Sequence, residues 1–347
     1  MYELKFDESL CEACETYDCL MKCQYMDFDL DTAKKERWKI IRGEDSRVLT
    51  DCITCYACEE YCPYGNHPFY QIVELQEARG FHPVPKPIEK QQVRMLAPDG
   101  KAERRDLQSP IINMCAFGMF EKYSIQGSLF EDASTFGGND IFCNLMYLHF
   151  AKNSIIKERV PKSIENIQKY YLEPNNVDEF MCFHDECYGT YMSWAPAFGI
   201  DVPFKPVYFF EFLLHRMRER KDDIKPLGMK AAYQRPCSNR LIPDTQHFVD
   251  DILELIGVER VQREYDRENS LCCGGVILAQ GKDDLVEDVQ KRNIDDMGEA
   301  GATACVFNCQ FCFIALGESV AKNGMMPLLL SDLCRLALGE QLRGWGD

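Results

Sequence analysis

The chain has 347 residues, with 56 acidic against 39 basic side chains and a formal net charge of −17. That length allows two or three domains, and 46% hydrophobic with 27% charged residues describes a core-forming chain, not a disordered one. The acidic balance argues against nucleic acid and anionic membrane surfaces as partners.

The opening, MYELKFDESL, has no apolar signal-peptide core, and no run of 18 apolar residues offers a transmembrane segment of the chain's own. A cytoplasmic protein is expected, membrane-associated only through a partner subunit. The 19 cysteines, many two or three residues apart, point to metal ligation in a reducing compartment more than to disulfides.

In chain order, residues 1–80 hold eight cysteines in two groups, separated by the charged, helix-compatible stretch 27–47. A helix is expected over 69–79, closed by Gly80 as a C-cap. Residues 81–109 carry prolines at 83, 85, 87 and 98, and read as an extended linker with no long helix or central strand. Beyond Pro110 the pattern becomes strand, turn, helix. In the last third, strands are expected at 229–233, 258–265, 302–307 and 326–330, and helices at 247–256, 283–297 and 313–320. Such alternation argues for an α/β unit with a mainly parallel sheet. The middle third repeats the order: strand 179–183, His184 to Cys187, a helix, strand 202–210 and helix 211–218. Residues 110–225 and 226–347 are therefore expected to be two copies of one unit, the first degenerate. The fold class is α+β multidomain.

Cys52-x2-Cys55-x2-Cys58-x3-Cys62-Pro63 has the spacing of a cubane [4Fe–4S] loop. Its companion is Cys11-x2-Cys14-x4-Cys19-x3-Cys23. By the ligand exchange of two-cluster ferredoxins, Cys11, Cys14, Cys19 and Cys62 would hold one cluster, and Cys52, Cys55, Cys58 and Cys23 the other. The alternative is two four-cysteine zinc sites. The 28 residues between Cys23 and Cys52 favour a helical ferredoxin module, similar to those in iron–sulfur subunits of larger oxidoreductases. Residues 1–62 carry 15 acidic against 8 basic side chains, a solvated face that could steer a basic protein partner.

A second constellation comprises Cys237, Cys272-Cys273-Gly274-Gly275 and Cys309-x2-Cys312, with 34 and 35 residues between its parts. Adjacent side chains on extended backbone point to opposite sides, so the Cys-Cys pair is expected to reach two irons of a larger, distorted cluster. The glycines permit close backbone approach. Cys309 and Cys312 fall between a strand and the next helix, where α/β units place ligands.

These residues resemble the CCG (cysteine-rich) domain of heterodisulfide reductases and related iron–sulfur oxidoreductases. The order, a two-cluster ferredoxin followed by two CCG repeats, is similar to that of a fused catalytic subunit of that family. The resemblance implies that Cys237, Cys272, Cys273, Cys309 and Cys312 hold a noncubane [4Fe–4S] cluster that binds sulfur and cleaves a disulfide. A structural zinc or reduced core thiols is the alternative. Cys305 and Cys334 lie outside the motif and read as core thiols.

In the first copy the counterparts are Cys115, Cys143-Asn144 and His184-x2-Cys187, so a full noncubane set is missing. What remains, Cys115, Cys143, His184 and Cys187, could hold zinc or a histidine-ligated Fe–S cluster, with Cys182 as a substitute ligand, or could be an empty, decayed site. The other histidines, at 67, 82, 149, 215 and 247, have no partner visible in the sequence and are taken as structural or surface residues. Tyr191, Trp194 and Tyr208 to Phe210 are taken mainly as core.

No G-x-G-x-x-G opens a βαβ unit, so electrons are expected from a redox protein partner, a flavoprotein or another Fe–S subunit of a larger complex. Two functions follow. In one, electrons pass through two cubane clusters to the noncubane cluster, which reduces or forms a small or protein-bound disulfide. In the other, the chain is a pure electron-transfer subunit linking a flavoprotein dehydrogenase or electron-transfer flavoprotein to a membrane or quinone partner.

Overall fold

The computed structural model describes residues 4–342. The stretch up to residue 80 is helical. Asp7, Asp29 and Ser46 precede helices Glu8–Glu12, Leu30–Ile41 and Arg47–Asp51, and their side chains accept from Ser9, Thr32 and Val48 N–H. Each bond satisfies a first-turn donor that the helix itself cannot. The spacer between the cysteine groups thus contains a three-turn helix, which sends Ala33 and Ile40 into a core with Val48, Leu49 and Ile72. Helix Pro68–Arg79 starts on a proline and stops at Gly80, whose φ of 70° is the left-handed C-cap expected of it.

The 81–109 segment departs from the extended linker, because Lys86–Met95 is a helix. Pro83 and Pro85 precede it, and Pro87 lies in its first turn, where the missing N–H forfeits no intrahelical bond. The prolines therefore start this helix instead of breaking it. Downstream, the buried Asp140 carboxylate gathers the 99–102 loop, accepting from Asp99, Gly100 and Ala102 N–H at 3.0, 2.9 and 2.6 Å.

Two four-stranded parallel sheets follow. The first contains β1 (Ile111–Cys115), β2 (Ser134–Gly137), β3 (Glu179–Cys182) and β4 (Lys205–Tyr208), in the order β2-β1-β3-β4. The second contains β5 (Lys230–Gln234), β6 (Glu259–Arg260), β7 (Ala304–Phe307) and β8 (Met326–Leu329), in the order β6-β5-β7-β8. The two orders are the same when counted from each sheet's first strand, and every neighbouring pair is parallel. The weak strand expected over 258–265 shortens to Glu259–Arg260.

Helix Phe209–Glu219 packs on helix His247–Leu255, and Leu213, Met217, Ile252 and Leu333 share one apolar core that spans both sheets. Burying each such side chain contributes about 1.5–3 kcal/mol. Tyr191, Trp194, Tyr208, Phe209 and Phe210 are core residues, as are Cys305 and Cys334. The consequence for function is geometric. The segments that follow the central strands of the two sheets meet, where Asp185 accepts from the side chains of Asn239 and Asn308.

Candidate functional site

The N-terminal cysteines gather around two cavities. Cys11, Cys14, Cys19 and Cys62 line one. Cys23, Cys52, Cys55 and Cys58 line the other, with Cys19 also on its wall. Left-handed residues Tyr17, Thr54 and Tyr56, at φ 51°, 59° and 64°, turn the chain sharply enough to aim neighbouring thiols inward. Backbone amides face the sulfurs: Tyr17 N–H donates to Cys14 Sγ at 3.4 Å and Thr54 N–H to Cys52 Sγ at 3.3 Å.

Whether these cavities suit an anionic cluster is tested by Arg37, which lines the first one. It is fully buried, its three guanidinium nitrogens have no hydrogen-bond partner among the described residues, and its guanidinium lies over the Phe6 ring at 4.6 Å. An unpaired buried cation costs several kcal/mol. Four thiolates around an iron–sulfur core supply the missing negative charge, so the residues fit the group. In the free protein, burial pushes the Cys19 thiol up to about 12 despite the opposing Arg37 charge. Loading such a site therefore releases protons.

The second cavity sits against the last third of the chain. Glu60 accepts from Arg235 Nη1 and Nη2 at 2.8 and 2.7 Å, and from Arg240 Nη1 at 2.5 Å. Tyr25 Oη accepts from Cys272 N–H at 2.8 Å, and Lys282 Nζ donates to Asp51 O at 3.0 Å. Ile53 joins the apolar cluster that contains Cys272, Cys273, Cys309 and Cys312.

That cluster surrounds the second constellation. β5 leads to Cys237, and β7 leads to Cys309, which caps helix Gln310–Lys322 and places Cys312 in its first turn. Cys272 and Cys273 stand in an irregular loop, and their thiols hydrogen-bond each other. The next residue, Gly274, turns the chain at φ 95°. A Cβ on Gly274 would meet Gln290 Nε2 at 2.8 Å, so glycine is required here. Cys312 stands next to both Cys273 and Cys309. The Cys312 hydrogen bond, outweighing burial and helped by His184, brings the Cys309 thiol down to about 6. Cys309 and Cys312 are 6% and 4% exposed, and between them Phe311 is 54% exposed, close to the Phe117 ring at 5.4 Å.

The first-sheet residues separate in a way the sequence did not indicate. Cys115, at the end of β1, Cys143 and Cys187 come together, with all three sulfur atoms within 4.8 Å of one another. His184 does not join them. It caps the short helix Asp185–Gly189, accepting from Glu186 N–H at Nδ1 (3.3 Å) in the neutral ring, and its imidazole lies against Cys309 of the other constellation. The expected four-residue set is thus corrected to three cysteines. Burial opposes a charge on His184 and the nearby Cys309, Glu186 and Asp185 favour it, while the bond that Nδ1 accepts from Glu186 N–H belongs to the neutral ring, whose proton then sits on Nε2. Burial first, with Cys143 and Cys309 adding to it against His184, lifts Glu186 to about 8.

His149, expected to be structural or surface, is also at this site. Its Nε2 is 3.6 Å from Cys237 Sγ and 4.0 Å from Glu186 Oε1, and its Nδ1 is 3.2 Å from Thr54 Oγ1. Burial lowers its pKa to about 4, so the ring is neutral. No spacing rule marks His149, because its partners lie 95 and 88 positions away. The five-cysteine site is therefore walled on one side by groups from the first sheet's loops.

Comparison with known proteins agrees with this geometry. Residues 231–317 match the family model of the CCG cysteine-rich domain. Over 152 residues the chain is 25% identical to one subunit of the fumarate reductase (CoM/CoB) of Methanothermobacter marburgensis, a match covering 43% of this chain and 30% of that relative. The crystal structure of a hypothetical protein from Helicobacter pylori shares the fold with a TM-score of 0.54 at 12% identity, over 82% of this chain and 60% of that one. Among the described residues, no helix is long and apolar enough to cross a membrane. Residues 231–317 thus match a CCG cysteine-rich domain, the domain that the Cys272-Cys273-Gly274 motif resembles, and the chain spans under a third of the length of the curated relative it matches.

Proposed function

We propose that the chain is the iron–sulfur subunit of an oxidoreductase that reduces, or in reverse forms, a disulfide. Residues 1–80 act as a two-cluster ferredoxin module, 110–225 and 226–347 as two units of common descent, and 81–109 as their connector. Cys11, Cys14, Cys19 and Cys62 hold one [4Fe–4S] cluster, and Cys23, Cys52, Cys55 and Cys58 hold the next. Cys237, Cys272, Cys273, Cys309 and Cys312 hold a noncubane cluster at the reacting end. A cluster bound there supplies Lewis acidity and single-electron steps to a sulfur–sulfur bond. Electrons come from a flavoprotein or Fe–S partner subunit.

The observation that carries this reading is the convergence of four buried cysteines and half-buried Cys237 from three separate stretches of chain, beside the second four-cysteine cavity and next to exposed Phe311. Cleaving a disulfide consumes two electrons and two protons and yields two thiols. His184 suits the role of proton donor to the leaving sulfur: its Nδ1 accepts from Glu186 N–H, which leaves the proton on buried Nε2, and that nitrogen has no other hydrogen-bond partner among the described residues. Neutral His149 can donate from Nε2 to Cys237 sulfur, which orients that thiolate.

A second reading, relay without sulfur chemistry, draws support from the first-sheet site, where Asn144 and His184 stand in place of two cysteines of a complete set. One experiment separates the two. On the anaerobically purified chain, about 12 irons are expected, four per cluster, and addition of a disulfide to the oxidised protein should change the paramagnetic signal of the five-cysteine site. About 8 irons, or a signal indifferent to every disulfide offered, would leave only the relay.

A further inference from the structure

Thr54 stands between Cys52 and Cys55 in the second four-cysteine site, fully buried, at φ 59°. Among the described residues with positive φ it is the one β-branched side chain apart from none of the glycines that suit such a turn. The conformation costs a residue of this kind about 1–3 kcal/mol, and backbone strain of that size persists where a function needs it. A glycine would make the same turn at less cost. The side chain is therefore kept for something other than the turn.

Its hydroxyl is what the position gains. Oγ1 lies 3.2 Å from His149 Nδ1 and 3.3 Å from His149 O, and Gln280 Nε2 donates to it at 3.4 Å. Gln280 closes helix Gly275–Ala279, just after the Cys-Cys pair, so three segments of chain meet at one oxygen. The segment that carries His149 is unusual in its turn. Leu145–Phe150 is a six-residue 3-10 helix with left-handed residues, Asn144 and Ala151, at its two ends, whereas such helices rarely exceed three or four residues.

Two acceptors compete for the Thr54 hydroxyl hydrogen, Ile53 O at 2.6 Å and His149 Nδ1. The sulfur beyond the ring decides between them. His149 Nε2 is 3.6 Å from Cys237 Sγ, and Glu186 Oε1 is farther off at 4.0 Å. Taking the five-cysteine site as a cluster, the reading on which this step rests, Cys237 is a thiolate with no hydrogen of its own. Nε2 must then carry the hydrogen of the neutral ring, and Nδ1 accepts from Thr54. Thr54 N–H donates in turn to Cys52 Sγ at 3.3 Å. Contacts thus run from a sulfur of the second four-cysteine site, through Thr54 and the imidazole, to a sulfur of the five-cysteine site. Tyr25 also bridges the two sites, but it meets the Cys272 amide and not its sulfur.

We propose that His149, held by Thr54, is a positioning residue that sets the reduction potential of the five-cysteine site and links it electronically to the second four-cysteine site. A hydrogen bond to a ligand sulfur favours the reduced, more negative state. The bond from Nε2 therefore makes the five-cysteine site the electron's destination. One electron leaves the four-cysteine site and one arrives at the five-cysteine site, the redox partner subunit replaces the first, and the Nε2 hydrogen stays in place.

The test is a redox titration of the full, anaerobically prepared chain, followed by electron paramagnetic resonance, with electron–nuclear double resonance on the five-cysteine signal. The wild-type signal should show an exchangeable proton and a coupling to isotope-labelled histidine nitrogen that H149F removes. H149F should keep the iron and make that site about tenfold harder to reduce, about 59 mV for one electron, while the other clusters hold their potentials. H149Q, which retains a side-chain N–H, should recover part of the shift. T54G should shift the potential in the same direction without lowering stability to urea, because it relieves the left-handed strain; a merely structural Thr54 would leave the potential unmoved. An unshifted potential in H149F, equal shifts at every cluster, or a wild-type signal without histidine nitrogen would overturn the proposal. The last of these needs no variant, so a mutant that fails to fold cannot obscure the answer. About 8 irons in the wild-type chain would overturn this link and the disulfide reading together, whereas a signal indifferent to disulfides but coupled to His149 would overturn the disulfide reading alone.

Discussion

The two sheets run their strands in the same order, yet they carry opposite kinds of site at equivalent strand ends. After β5 and β7, five cysteines are strung through pairwise contacts, with 4–7% exposure at four of them and an exposed phenylalanine in their midst. After β1 and β3, three cysteines close on one another with none of their surface exposed. The same scaffold therefore supports an open, extended thiol array in one place and a sealed, compact one in the other. A site that must meet a substrate needs the first geometry, and a site that only holds the chain together is better served by the second. His184 marks the change of purpose: its chain position matches that of Cys309, but its side chain serves the opposite site.

The comparison is most sharply tested at the Cys-Cys pair. Cys273→Ser should remove about four of the irons and abolish the disulfide-dependent signal. Iron analysis with electron paramagnetic resonance reads both, and an unchanged iron content would mean that the pair holds no cluster. Next in size is His184→Gln. As a proton donor, its loss should lower disulfide turnover about 10²- to 10⁴-fold with iron retained. Loss of iron instead would make His184 part of a metal site and not a proton donor.

How much of this was legible in the sequence follows from the range of the interactions. Cysteine spacings of two to four residues are set by local backbone, so both N-terminal groups could be read directly, and the crossed partition between the two cavities agrees with the lining residues. The α/β pattern was legible for the same reason, since parallel strands and their crossover helices have distinct periods. The connector helix Lys86–Met95 was missed because prolines were counted as breakers without asking which turn they occupy. His149 and Glu60 were missed because their roles depend on residues many tens of positions away, brought close by docking of the helical module and the two sheets.

Glu60 gives the next test. It faces Arg235 and Arg240, whose side chains are 0% and 3% exposed, and this pairing holds the second N-terminal cavity against the five-cysteine site. Glu60→Gln leaves two buried guanidinium groups short of a counter-charge, a loss of about 3–5 kcal/mol, measurable as a lower denaturant midpoint for the unit formed by residues 226–342. The first-sheet unit meets the helical module through the exposed pair Lys157–Glu74 at 4.0 Å, so its own stability should be insensitive to the change.

Arg37→Met acts at the far end of the electron path. With the positive charge in the first cavity's wall removed, the reduced cluster loses its stabilising cation and the midpoint potential should become more negative. A tenfold change in the reduction equilibrium corresponds to about 59 mV for one electron. Redox titration followed by electron paramagnetic resonance reads the shift, and an unchanged potential would mean that Arg37 serves packing alone.

The smallest effect is expected at Asp140, which lies just before Cys143 in the chain, holds the 99–102 loop and so steadies the approach to the sealed site. Burial by itself would raise this carboxyl, but the backbone amides of Gly100, Ala102, Lys101 and Asp99 overcome it and hold the carboxyl below the ordinary value of 3.8. A depressed folded pKa means that the stabilisation is complete above the unfolded value and fades as pH falls through the folded one. Asp140→Asn should thus cost about 1–3 kcal/mol at pH 7 and progressively less below pH 3.8. Urea midpoints for both proteins at neutral and acidic pH would show the gap narrowing. If the gap stayed constant, the loop would be held by the shape of the side chain and not by its charge. The compact site would then owe its rigidity to the cysteines themselves, and the contrast with the open array would lie wholly in the ligands.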